Sequence, residues 1–147
     1  QLVTAYIPGM TVRTSAFKNL KAAPDSNYVG GYAVWRSAEK GFYPPTLPRD
    51  KEVVCTNPLS WTLDTNAVER KYNKGAVLLP FNRLIPQATG AQISNKILWV
   101  HKPHFKGSRW ILNKNYHIAD YNLFYINVRD NAHLRLHNYL TNYGKNQ

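Results

Sequence analysis

Leu2-Val3-Thr4-Ala5-Tyr6-Ile7, closed by Pro8-Gly9, is the stretch whose reading decides the fold. A β-branched and aromatic run stopped by a Pro-Gly turn predicts a strand. Its apolar side chains do not alternate cleanly with polar ones, so it reads as a strand buried on both faces, with a neighbour strand on each side. Working outward, Tyr28–Trp35 reads as a second strand, in which Gly30-Gly31 marks a bulge or a close backbone approach. Pro44, Pro45 and Pro48 make Phe42–Arg49 an extended connection. Val53-Val54-Cys55 is a short strand closed by Asn57-Pro58. Leu59–Leu84 reads as an ordered loop excursion with a turn at Asn73-Lys74-Gly75 and one short strand at Ala76–Leu79. Gln92–Val100 is the next clear strand, stopped by Pro103.

The best helix opens at Asp120, a suitable N-cap, and ends before Gly144, which suits the position just past a helix. Tyr121, Phe124, Tyr125, Val128, Ala132, Leu136, Tyr139 and Leu140 recur at spacings of three and four and form its expected apolar face. Strands separated by long connections and closed by a helix favour a mixed α/β sheet over an all-β sandwich.

Composition narrows the function. The chain has 147 residues, with 19 Lys+Arg against 8 Asp+Glu, a net charge of +11. With 44% hydrophobic and 13% aromatic residues it has material for a core and is not a disordered basic tail. The basic residues are scattered, and no helix-turn-helix, RNP-like strand or zinc finger accompanies them, so a nucleic-acid partner is not expected. Cys55 is the single cysteine, which excludes a disulfide framework and a cysteine-based zinc module. No stretch reaches the roughly 18–20 apolar residues of a membrane span. One free cysteine fits cytosol and periplasm alike, and a periplasmic or secreted location is favoured over a cytoplasmic one.

Candidate chemistry is sparse. His133 and His137 stand at i, i+4 but have Leu134-Arg135-Leu136 between them, with no Glu, so they read as a solvent-exposed pair. His101 and His104 lie in a Pro-broken loop, and no metal or cofactor site is expected. Cys55 follows Val53-Val54 and reads as a core residue more readily than as a nucleophile. No Gly-x-Ser-x-Gly elbow occurs. His117, in Asn115-Tyr116-His117-Ile118-Ala119-Asp120, is the more specific lead. It lies after the last strand and before the last helix, where a sheet enzyme places its ligand crevice. A general-base histidine there could reach a nucleophile on another strand end.

Several segments then point one way. Leu2–Met10, Val54-Cys55-Thr56-Asn57-Pro58-Leu59-Ser60-Trp61-Thr62-Leu63-Asp64, Lys74–Val77, Gly90–Ile93 and Tyr116-His117-Ile118-Ala119-Asp120-Tyr121-Asn122-Leu123-Phe124-Tyr125 resemble, in order, the C-terminal half of a family of α/β-hydrolases described as lysophospholipase-like and otherwise as a domain of unknown function. The resemblance implies the C-terminal portion of an α/β-hydrolase sheet over residues 1–147, with a long loop excursion and a terminal helix. It also implies that the nucleophilic serine lies on an elbow just before Leu2. The nucleophile-bearing N-terminal part would then be absent from this chain, or supplied by a separate one. His117 matches the family's catalytic histidine. Asp64 is the first choice for the acid, with Glu39, Asn57 and Asp120 as alternatives. The implied substrate is an ester or lipid-like small molecule. A competing expectation is a basic, aromatic-rich module that binds glycan or nucleic acid through Trp99, Trp110 and Tyr116.

Overall fold

In chain order the described residues form strands β1 (Thr4–Pro8), β2 (Val12–Arg13), β3 (Gly31–Trp35), β4 (Ser37–Glu39), β5 (Val53–Val54), β6 (Ala76–Val77), β7 (Leu84–Ile85), β8 (Ala91–Ser94) and β9 (Ile97–Val100). Helices α1 (Asp120–Leu123) and α2 (Tyr125–Tyr143) close the chain. The structure, a computed structural model, describes residues 2–45, 47, 49–78, 80–103 and 114–143. His104, Lys106, Arg109, Trp110, Leu79 and Gly144 lie outside them.

β1 runs parallel to β3, from Thr4 opposite Gly31 to Pro8 opposite Trp35. The chain continues across Arg36 into β4, which pairs in parallel with β9, and β9 pairs antiparallel with β8. The result is a mixed α/β domain built on the long strand 31–39. That strand holds β1 along its first half and β9 along its second.

β1 differs from the expectation. All five of its residues are half-buried, and among the described residues β3 is its one strand partner. The alternation explains this. Tyr6 packs toward the main core on one face, while Ala5 and Ile7 pack beside Val12, Tyr32, Val34 and Val54 on the other. β3 is the strand buried throughout. Gly31 opens it because a side chain there would meet the Tyr28 ring at 2.6 Å and Lys21 O at 2.8 Å.

Gln92–Val100 also departs from the single strand its apolar end suggested. Asn95 and Lys96 both have positive φ, 49° and 63°, and fold the stretch into the β8–β9 hairpin. Two consecutive left-handed residues make the turn that matches strand twist, and asparagine tolerates the first of them. The loop excursion holds a short hairpin, β6 with β7, whose second strand, Leu84–Ile85, straddles the expected end of the excursion.

The main core joins Trp35, Leu98 and Val100 of the sheet to Trp61, Leu123, Phe124 and Val128. Trp35 meets Trp61 and Phe124 edge to face, at centroid distances of 6.2 and 6.3 Å. No helix among the described residues is long and apolar enough to cross a membrane.

Candidate active site at the carboxyl edge of the sheet

Along the strand 31–39, successive residues turn their backbone polar groups to opposite sides. Arg36 O and Lys40 N bond toward β9, through Leu98 N at 3.0 Å and Val100 O at 2.9 Å. Trp35 O, Ser37 O and Glu39 N face the other way. Trp35 O accepts from Gly9 N at 2.8 Å, just past the end of β1. Beyond that point β1 is gone, and residues 114–116 take its place. Ser37 O accepts from Tyr116 N at 2.9 Å, and Glu39 N donates to Lys114 O at 2.8 Å.

One backbone group in this row is left over, the Ser37 N–H, at the gap between Gly9 and Tyr116. A buried N–H without an acceptor is costly, and the Asp120 carboxyl fills the role. Asp120 Oδ1 accepts from Ser37 N at 2.7 Å and from the Ser37 hydroxyl as well, while the Asp120 carbonyl takes the Trp35 indole N–H at 3.1 Å. The expected N-cap role is thereby corrected. Asp120 is the first residue of α1, and its side chain reaches across to the sheet instead of capping its own helix.

Burial pushes the Asp120 carboxyl up to about 7, against the pull of the Ser37 donors, the Arg36 charge and the Gly9 N–H dipole. Its second oxygen, Oδ2, is buried with no hydrogen-bond partner.

His117 begins the 3-10 turn that leads into α1 and is half-buried. Its carbonyl lies 3.5 Å from where a side chain on Gly9 would start, so the residue stands directly over the end of β1. Next to it, Tyr116 is buried, and its phenol donates to Glu39 Oε2 at 3.1 Å. Burial and that carboxylate together push the Tyr116 hydroxyl up to about 12. Glu39, half-buried at the end of β4, is thereby tied to the residue before His117, and no hydrogen bond or ion pair joins it to His117 itself among the described residues.

Asp64 sits elsewhere. It is exposed, and its carboxylate is held below the usual range by the Thr62 hydroxyl and the Asn66 N–H, the latter at 2.9 Å. Its loop runs along the outer edge of β8, where Gln92 Nε2 donates to Thr65 O and Val68 bridges Ala91. β4, β9 and β8 stand between that loop and the 114–116 segment. Four strand spacings amount to about 19 Å. No hydrogen bond or ion pair joins Asp64 to His117 among the described residues. Asn57 ties its loop to β8, donating to Ala91 O and accepting from Leu59 N.

The remaining candidates fall into structural roles. Cys55 is in the core, and burial, followed by the Asp120 charge, pushes its thiol up to about 12. His101, His133 and His137 are exposed. Among the described residues no group of three or more His, Cys, Asp or Glu could hold a metal ion. Trp99 is half-buried and donates its indole N–H to Phe42 O, and Tyr116 is buried. No family model, curated protein or solved structure gives a significant match to the chain.

Proposed function

We propose that the chain is the C-terminal portion of a serine ester hydrolase of the α/β type, esterase- or lysophospholipase-like. Its serine would lie on an N-terminal part, joined to this chain or supplied beside it. One observation carries the reading: half-buried His117 follows a segment tied to β4 and stands over the carboxyl end of the parallel strand β1. Crevices of open α/β sheets lie at that edge, and a nucleophile on the strand beyond β1 would meet the imidazole there. Among the described residues the other edge of β1 has no strand partner, and it offers the ladder on which such a strand could form.

In this reading His117 takes the proton of the serine hydroxyl as it attacks the ester carbonyl. It then returns the proton to the leaving alcohol, and water releases the acyl group by the same relay. We take Glu39 over the expected Asp64 as the acid, because its carboxylate is bonded to Tyr116, the residue before His117, whereas the Asp64 loop lies beyond β8. Asp120 is a poor orienter, since one oxygen is committed to Ser37 and its proton stays on up to about pH 7.

The test uses this chain assembled with the nucleophile-bearing part and a short acyl p-nitrophenyl ester. His117→Ala is expected to lower kcat at least about 10³-fold, and Glu39→Gln at least about 10²-fold. Asp64→Asn should change it less than about twofold. Full activity in His117→Ala would overturn the proposal. Loss in Asp64→Asn but not in Glu39→Gln would return the acid to Asp64.

A further inference from the structure

A cavity of about 430 Å³ opens between β5, the β8–β9 turn and the 49–51 segment. None of its lining residues belongs to the 114–123 segment, so it is separate from the His117 edge. Its floor is apolar, made by Val53, Val54, Leu63 and Ile93. Its mouth is cationic, carrying Arg49, Lys51 and Lys96, all exposed. Asp50 is the acid in the wall, and its charge is already engaged. Its carboxylate accepts from Arg13 Nε at 2.6 Å and from Glu52 N at 2.9 Å, which keeps it ionised below the usual range. Arg49 lies over the Tyr43 ring, 5.3 Å from its centroid, which limits its swing.

A second observation points the same way. Asp50, Val53, Val54 and Lys96 also line a small recess of about 10 Å³ that adjoins the cavity, and Arg36 forms part of its wall. Arg36 Nε is buried and has no hydrogen-bond partner. Guanidinium stays charged and carries donors alone, so Arg36 brings a fixed positive charge to the recess wall. A recess of that size takes about one oxygen-sized atom. The Arg36 charge reaches Asp120 through space, but no hydrogen bond joins the two.

We propose that this cavity binds an organic anion with an apolar body, an alkyl carboxylate or an alkyl phosphate, its chain on the Val53–Ile93 floor and its head between Lys96 and Arg36. Volume and lining fit the usual small-molecule site, a largely apolar cleft with a few placed polar groups. The charge selects the head, and the floor supplies affinity that a bare anion would lack.

The test titrates the 147-residue chain with dodecanoate, followed by calorimetry and by the amide resonances of Val53, Val54, Leu63 and Ile93. Saturable one-to-one binding with shifts at those amides is expected. Acetate and inorganic phosphate should bind at least about tenfold more weakly, since they lack the apolar body. Dodecyltrimethylammonium, with the same chain and the opposite charge, should not bind. Lys96→Glu and Arg49→Glu change exposed residues and should each weaken dodecanoate about tenfold, with an unchanged circular dichroism spectrum. Dodecyl phosphate distinguishes the two heads: whichever binds tighter names the class, and either sustains the proposal. Shifts confined to other residues, equal binding of the ammonium, or indifference to Lys96→Glu would overturn it. The readout needs no turnover, so it stands or falls independently of His117.

Discussion

Asp120 is where a single side chain decides most. A reading of local spacing makes it a cap; the gap in the ladder beside Ser37 makes it a brace between α1 and the sheet. The pH dependence follows from its burial. The folded carboxyl keeps its proton up to about pH 7, whereas the unfolded chain releases it near the ordinary aspartate value of 3.8. Between those values the native state binds more protons, so this group's contribution to stability is fully present at low pH and declines as pH rises toward 7. Asp120→Asn keeps an acceptor for Ser37 but removes the titration. Its urea midpoint is expected to vary less between about pH 4 and 7 than that of the parent chain. Parallel profiles in the two proteins would refute the raised carboxyl. Asp120 was legible as the start of a helix. Its partner Ser37, 83 residues earlier, was not, because no local pattern announces an unpaired N–H.

At the scale of the element, the terminal helical stretch keeps only part of its expected apolar face. Phe124 and Val128 are buried, but Tyr121, Tyr125, Leu136 and Leu140 of the same stripe are exposed, Leu136 at 48% and Leu140 at 56%. The face turned inward carries Val128 together with the polar Asn127, Asn131 and Arg135. These polar residues are buried because each finds partners in distant segments. Asn127 accepts from Lys74 N and donates to Tyr72 O, and Asn131 accepts from the Tyr6 hydroxyl and donates to Ser26 O. Arg135 donates to Asn131 Oδ1 at 2.7 Å, Thr4 Oγ1 at 3.1 Å and Asp25 O at 2.9 Å, and lies over the rings of Tyr6 and Trp61. A lysine cannot reproduce that planar fork. Arg135→Lys is therefore expected to cost about 2 kcal/mol or more in chemical denaturation. A loss under about 0.5 kcal/mol would mean the network is incidental. Charge and polarity at 127, 131 and 135 gave no hint of burial, since such residues are mostly exposed unless paired.

Across the whole molecule, the same bonds tie the end of the chain to its beginning. α2 reaches Thr4, Tyr6, Asp25 and Ser26, while β1 and β3 pair across more than twenty residues. Segments fastened to one another in this way should open together. Hydrogen exchange is expected to give the amides of β1, β3 and the Asn127–Arg135 turns a common opening free energy. Earlier exchange of α2 by itself would show that the staple does not govern global unfolding. By itself the sequence determined the class of the domain, a mixed sheet closed by a terminal helix, and the position of His117 between the last strand and that helix. β-branched runs, proline stops and the Asp120–Tyr143 helical stretch are local signals, and local sterics enforce them. Tertiary structure decided which face of α2 is buried, that Gln92–Val100 folds back on itself, that Asp120 braces Ser37, and that Tyr116 bonds Glu39. Each of these turns on a hydrogen bond or packing contact between residues far apart in the chain, and hydrophobic spacing carries no record of such partners.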